Sequence, residues 1–299
     1  LKEETSESKE ENAFYKNVMD PITKMDGDSL PTSAFKGREN GEFPNGTTAH
    51  EKRGIAVNVP EWQIDNCIQC NQCSYVCPHA AIRPFLLDEK EQASKPEGFE
   101  TKKALGGKSF EGMQYRIQVS VLDCTGCGNC ADVCPAPNKA LVMKPIETQT
   151  KQEDLWKYAE TVSEKRETMP LSTVKGSQFC KPLFEFSGAC AGCGETPYAK
   201  LITQLFGDRM MIANATGCSS IWGGSAPSTP YTTNAEGKGP AWANSLFEDN
   251  AEYGFGMYLA IKQLRAKLVD LAKEFIELDG ACEDCKKAFL AWLESKDDG

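Results

Sequence analysis

Cys67–Pro78 reads CIQCNQCSYVCP: four cysteines at gaps of two, two and three residues, with a proline after the last. The same gaps and the same proline return at Cys124–Pro135, CTGCGNCADVCP. Two matched copies mark an internal duplication, and the flanking sequence repeats with them. MQYRIQVSVLDC (Met113–Cys124) alternates Tyr115, Ile117, Val119 and Val121, the period of a half-buried strand entering the second block. ALVMKPIE (Ala140–Glu147) reads as the strand leaving it. KRGIAVNVPEW (Lys52–Trp62) alternates Ile55, Val57 and Val59 and predicts a strand into the first block. The expected unit over about residues 50–148 is strand, cysteine block, strand, polar insertion of roughly thirty residues, strand, cysteine block, strand.

Soft thiolates at this density suit an inorganic iron–sulfur core. A C-x-x-C-x-x-C loop wraps three corners of a cubane, and the fourth cysteine points away to ligate the other cluster in two-cluster ferredoxins. The spacing therefore predicts one [4Fe–4S] cluster on Cys67, Cys70 and Cys73 plus Cys134, and a second on Cys124, Cys127 and Cys130 plus Cys77. An uncrossed pairing stays open, because the insertion between the copies could shift the register. Structural zinc sites use well-separated C-x-x-C pairs rather than seven-residue triplets. Gly126 and Gly128 fit close backbone approach to a cluster or ordinary turn chemistry. His79, just after Cys77–Pro78, reads as a packing or tuning residue rather than a ligand.

The chain has 299 residues, 14 cysteines and a net charge of −10, with no basic stripe, which argues against nucleic acid and anionic membrane as partners. No apolar run approaches the ~18 residues of a bilayer span, and LKEETSESKE lacks the apolar core of a signal peptide. Clustered cysteines suit a reducing, cytoplasmic setting better than a disulfide scaffold. Three segments are expected: a loop-rich stretch over 1–48 with a helix near ENAFYKNVMD, a ferredoxin-like domain over 49–165, and a further domain over 166–299. Residues 149–170 read as a charged helical linker. Leu259, Ile261, Leu264, Leu268, Leu271 and Phe275 recur at helical spacing and predict a stripe packed into a core. Cys180 reads as a small buried side chain.

A third cysteine group is less specific. Cys190 and Cys193 in SGACAGCGETPY, with Cys218 in ATGCSSIWGG, could be a redox dithiol, half a zinc site or part of another cluster. These motifs, with MDPITKMDGDSLP and LFEDNAEYGFGM at either side, resemble the pyruvate:ferredoxin oxidoreductase family over nearly the whole chain. The resemblance implies a thiamine-diphosphate enzyme that decarboxylates pyruvate oxidatively, acylates coenzyme A and passes electrons through three [4Fe–4S] clusters to ferredoxin or flavodoxin. It implies an α+β and α/β multidomain fold whose last part is an incomplete thiamine-diphosphate-binding domain, in a homodimer.

Carried over residue by residue, Cys190, Cys193 and Cys218 match three of four ligands of the thiamine-proximal cluster. Glu195 and Cys218 match positions that contact thiamine diphosphate. No catalytic acid or base is assigned. The family's fourth proximal ligand and its magnesium- and diphosphate-binding stretch do not occur before Gly299. The expectation is therefore an internal fragment that does not turn over pyruvate alone. Other expectations are a double-cluster electron-transfer subunit without catalysis, or an oxidoreductase for another 2-oxoacid. Cys282 and Cys285, in GACEDCKKAF, read as an exposed pair or adventitious metal site, with the missing proximal ligand as the lesser alternative.

Overall fold

The computed structural model describes residues 13–225 and 228–297. Residues 1–12, which include LKEETSESKE and the first two residues of ENAFYKNVMD, and Ala226–Pro227 of the third motif region lie outside them. The chain separates into two compact units, residues 1–211 with 217–242, and residues 212–216 with 243–299.

In the first unit, short helical turns at Tyr15–Met19 and Asp20–Thr23 bury Phe14, Val18 and Met19 against Ile22, Leu30 and Phe35. The stretch that follows is turns, as its Gly- and Pro-rich sequence predicts.

The duplicated region forms two small antiparallel sheets. Strand β1 (Asn58–Trp62) leads into the first cysteine block and β2 (Ile82–Leu87) leaves it. β3 (Lys102–Lys103) lies in the insertion, while β4 (Gln114–Val119) and β5 (Leu141–Pro145) flank the second block. β1 pairs with β5, Asn58 opposite Pro145 and Trp62 opposite Leu141. β2 pairs with β4, Ile82 opposite Val119 and Leu87 opposite Gln114. The entering strand of each copy thus pairs with the leaving strand of the other. That exchange carries the tail of each block toward the opposite block.

The core is built by the inward period-2 residues: Val59, Ile82, Leu86, Tyr115, Ile117 and Val119 are all buried together. Each such side chain contributes about 1.5–3 kcal/mol of burial. The short helix α1 (Gln72–Tyr75) carries Cys73 within the first block; α2 (Glu89–Ala93) lies in the insertion and starts with an Asp88/Glu91 capping box. α3 (Asn129–Asp132) carries Cys130, the last thiol of the second triplet, and α4 (Gln152–Ala159) covers the sheet with Trp156.

Two sequence expectations shift. The first strand begins at Asn58, and Ile55 and Val57 stand exposed because the partner strand ends opposite Asn58, at Pro145. The linker is α-helical only over Gln152–Ala159, with a further 3-10 turn at Arg166–Thr168.

The first unit continues through α5 (Thr196–Phe206), started by Pro197 in its first turn. In the second unit, α6 (Asn250–Glu277) and α7 (Glu283–Ser295) form a helical pair joined through Gly280, with Phe275 and Phe289 edge to face at 5.3 Å. The stripe expected to be core is open: Leu264 is 57% exposed and Leu268 55%. The helical period is present, but α7 covers only part of the apolar face, and Ala272 is the buried residue of α6.

Candidate metal centres

Each cysteine block is a loop that needs two residues in the left-handed region. In the second copy these are Gly126 and Gly128, at φ 70° and 82°. A Cβ on Gly126 would stand 2.9 Å from the Asn58 carbonyl oxygen, so this position needs glycine for space as well as for conformation. In the first copy the equivalent positions are Gln69 and Asn71, at φ 60° and 62°. Their amides are buried, and each bonds through both its nitrogen and its oxygen. Gln69 Nε2 donates to the Lys103 carbonyl at 2.8 Å, and its Oε1 accepts from the Leu105 N–H at 2.7 Å. Asn71 Nδ2 donates to the Lys175 carbonyl at 2.9 Å, and its Oδ1 accepts from the Tyr115 hydroxyl at 2.7 Å.

Two cavities result. One, with about 320 Å³ of non-atom space including its mouth, is lined by Cys67, Cys70, Cys73 and Cys134 among apolar side chains. The other, about 380 Å³ on the same measure, is lined by Cys124, Cys127, Cys130 and Cys77. The thiols sort three from one block and one from the other. Among the described residues no three His, Cys, Asp or Glu side chains meet at a point that would hold a single ion. A cubane gives every thiolate its own iron, so it asks for thiols that frame a volume.

The donor set fits such a core. Burial pushes the Cys124 thiol up to about 12, and pushes Cys73 and Cys130 further, with neighbouring thiols adding to it. Groups this reluctant to ionise become thiolates when a metal supplies compensating positive charge. Backbone donors reach the sulfurs: the Gly126 N–H to Cys124 Sγ at 3.4 Å and the Ala140 N–H to Cys134 Sγ at 3.3 Å. Trp62 lines the first cavity, and its buried indole N–H has no acceptor in the protein. All fourteen cysteines are free.

Other groups join the third cysteine region to the blocks. His79 Nε2–H donates to the Ala189 carbonyl at 2.8 Å, and its Nδ1 takes the Thr125 hydroxyl at 3.4 Å. Burial lowers the pKa of this imidazole, which favours its neutral form. A Cβ on Gly192 would lie 3.7 Å from Cys127 Cβ, so the loop bearing Cys190 and Cys193 runs against the second cavity. Lys200 on α5 is buried, and its Nζ donates to the carbonyls of Ser74, Tyr75 and Cys77. Arg83 is buried too, paired with Glu185 and stacked on Trp156 at 5.0 Å. Gln69, Asn71 and Lys200 are supporting residues that reading the cysteine pattern alone passes over.

Cys190 and Cys218 are exposed and Cys193 half-buried. Neither cluster cavity includes them, and Glu195 at the start of α5 is exposed. These residues do not by themselves enclose a third cluster or thiamine diphosphate. Cys180 is buried as expected. No helix among the described residues is long and apolar enough to cross a membrane.

A 4Fe-4S dicluster domain profile matches residues 66–138, and a profile described as a domain of unknown function (EKR) matches residues 1–56. The pyruvate-flavodoxin oxidoreductase of Enterobacter agglomerans is 57% identical over 293 residues, 96% of this chain and 24% of the relative. The pyruvate:ferredoxin oxidoreductase of Moorella thermoacetica is 59% identical over 290 residues, 97% of this chain and 24% of the relative. By sequence, the chain is similar to a segment of pyruvate-flavodoxin and pyruvate:ferredoxin oxidoreductases. A pyruvate dehydrogenase [NADP(+)] of Cryptosporidium parvum is 54% identical over 90% of this chain and 14% of the relative. The chain spans about a quarter of the length of the first two oxidoreductases.

Proposed function

We propose that this chain is the electron-relay segment of an enzyme that oxidises pyruvate to acetyl-coenzyme A and carbon dioxide and reduces ferredoxin or flavodoxin. The supporting observation is the sorting of eight thiols into two cavities, each taking three from one block and one from the other. Cys67, Cys70, Cys73 and Cys134 would hold one [4Fe–4S] cluster, and Cys124, Cys127, Cys130 and Cys77 the other. Such a cluster supplies reversible one-electron storage.

The chain's own residues set the surroundings. Val119, Ile117 and Leu141 wall the cavities with hydrocarbon and limit water. The Gly126 and Ala140 amides direct positive dipole ends at sulfur, and Lys200 places an ammonium beside the Cys77 carbonyl. Gly192 against Cys127 sets the Cys190–Cys193 loop beside the second cavity, on the side from which charge would enter.

Cys190, Cys193 and Cys218 are proposed as ligands of a third cluster, and Glu195 and Cys218 as contacts of thiamine diphosphate with its Mg²⁺. The remaining groups would come from the three quarters of the relatives that this chain does not span. A cytoplasmic homodimer fits this role. Relatives whose names give flavodoxin, ferredoxin or NADP(+) share this segment at 54–59% identity. A segment so alike across three acceptors belongs upstream of acceptor choice.

The reading is tested in a longer protein containing this segment, by following pyruvate- and coenzyme A-dependent reduction of flavodoxin and ferredoxin. Reduction should fall to background in the Cys127→Ala variant. Wild-type rates in that variant defeat the proposal.

A further inference from the structure

Cys282 and Cys285 lie in the second unit, outside both cluster cavities. Cys282 is the N-cap of the thirteen-residue helix α7, and its Sγ accepts the Cys285 backbone N–H at 3.3 Å. Its carbonyl accepts the Lys286 N–H at 3.0 Å, which fixes the first turn. Gly280, at φ 77°, turns the chain into this cap. Both cysteines are exposed. Residues three apart at a helix start share one side, so the two sulfurs sit at the positive end of one helix dipole.

We propose that Cys282 and Cys285 form a thiol–disulfide exchange site whose substrate is a small disulfide of the glutathione class. The Cys282 thiolate attacks one sulfur of the external disulfide, making a mixed disulfide and releasing the first thiolate, which takes a proton. Cys285 gives up its proton and attacks Cys282 Sγ, closing the Cys282–Cys285 bond and releasing the second thiolate. Two thiols and one disulfide give one disulfide and two thiols. Two electrons pass from the protein pair to the small molecule.

The geometry gives the two cysteines different parts. Hydrogen bonds from the Cys285 thiol and backbone N–H hold the Cys282 thiol below its ordinary value, and the same side-chain bond raises Cys285. Cys282 is the attacking sulfur and Cys285 the resolving one. The site stands independently of the cluster assignment, because none of its atoms belongs to either cavity.

The test uses the full 299-residue chain, loaded anaerobically with iron and sulfide, then exposed to glutathione disulfide and mapped by tryptic mass spectrometry. The Glu274–Lys286 peptide should appear two hydrogens lighter and free of glutathione. In Cys285→Ser the glutathione adduct should accumulate on Cys282. In Cys282→Ser the adduct on Cys285 should form about tenfold more slowly. Two alkylatable thiols in the wild-type peptide, or a glutathione on each, overturn the proposal. Equal adduct rates in the two variants overturn the assigned roles.

Discussion

Cys77 and Cys124 line one cavity although they belong to different cysteine blocks. The antiparallel pairing of β2 with β4 brings them there, since Ile82, just after the first block, lies opposite Val119, just before the second. This crossing predicts a pattern of non-additivity. Cys77→Ser and Cys124→Ser should each disturb the same paramagnetic centre of the reduced protein, and the double variant should be no worse than Cys124→Ser alone. Cys77→Ser combined with Cys67→Ser should disturb both centres. Spin quantitation by electron paramagnetic resonance decides it, and an uncrossed pattern refutes the assignment.

Asn71 at φ 62° occupies the position that Gly128 fills in the other copy. Asn71→Gly should lose two buried hydrogen bonds, about 1 kcal/mol each. Asn71→Ala should lose the same bonds and add roughly 1–2 kcal/mol of left-handed strain. Anaerobic denaturant titration of the two variants measures the difference. Equal stabilities contradict the conformational argument.

Lys200 satisfies three carbonyls beneath the first block with a buried ammonium whose pKa burial lowers to about 8. Lys200→Met should strand those carbonyls, at about 1–3 kcal/mol for a buried group left unpaired. It should also make at least one cluster harder to reduce, because a nearby positive charge is gone. Potentiometric titration with spectroscopic readout checks this. Unchanged potentials show that Lys200 acts on structure alone.

Glu91 binds the Ser163 N–H and hydroxyl, Lys165 Nζ and the Asp88 N–H. Burial alone would raise its pKa, but these donors hold it below the ordinary 4.5. A carboxyl depressed in the folded state stabilises above its unfolded value, and that contribution is lost as pH falls through the folded one. Glu91→Gln should therefore lower stability at neutral pH and flatten the decline below about 4.5. Denaturation midpoints of both proteins from pH 7 to 3 give the comparison; parallel curves count against it.

The duplication and the strands seen at Gln114–Val119 and Leu141–Pro145 were legible because cysteine spacing and period-2 burial act locally. Gln69 and Asn71 were not. A buried polar loop residue at positive φ looks ordinary until the two copies are superposed and Gly126 and Gly128 fall on them. Lys200 carries no local mark, since only packing of α5 beneath the first block buries it. Ile55 and Val57 alternate as a strand does, but alternation does not supply a partner. The α6 stripe shows the same limit: Leu264 and Leu268 declare an apolar face without saying what covers it.

The most direct measurement is iron, acid-labile sulfide and thiol protection on one anaerobically reconstituted sample. The crossed scheme predicts about eight irons and eight sulfides per chain. It also predicts that Cys67, Cys70, Cys73, Cys77, Cys124, Cys127, Cys130 and Cys134 resist alkylation while Cys282 and Cys285 react. Reconstituted protein without iron and sulfide, or with any of those eight thiols freely alkylated while iron is bound, contradicts it.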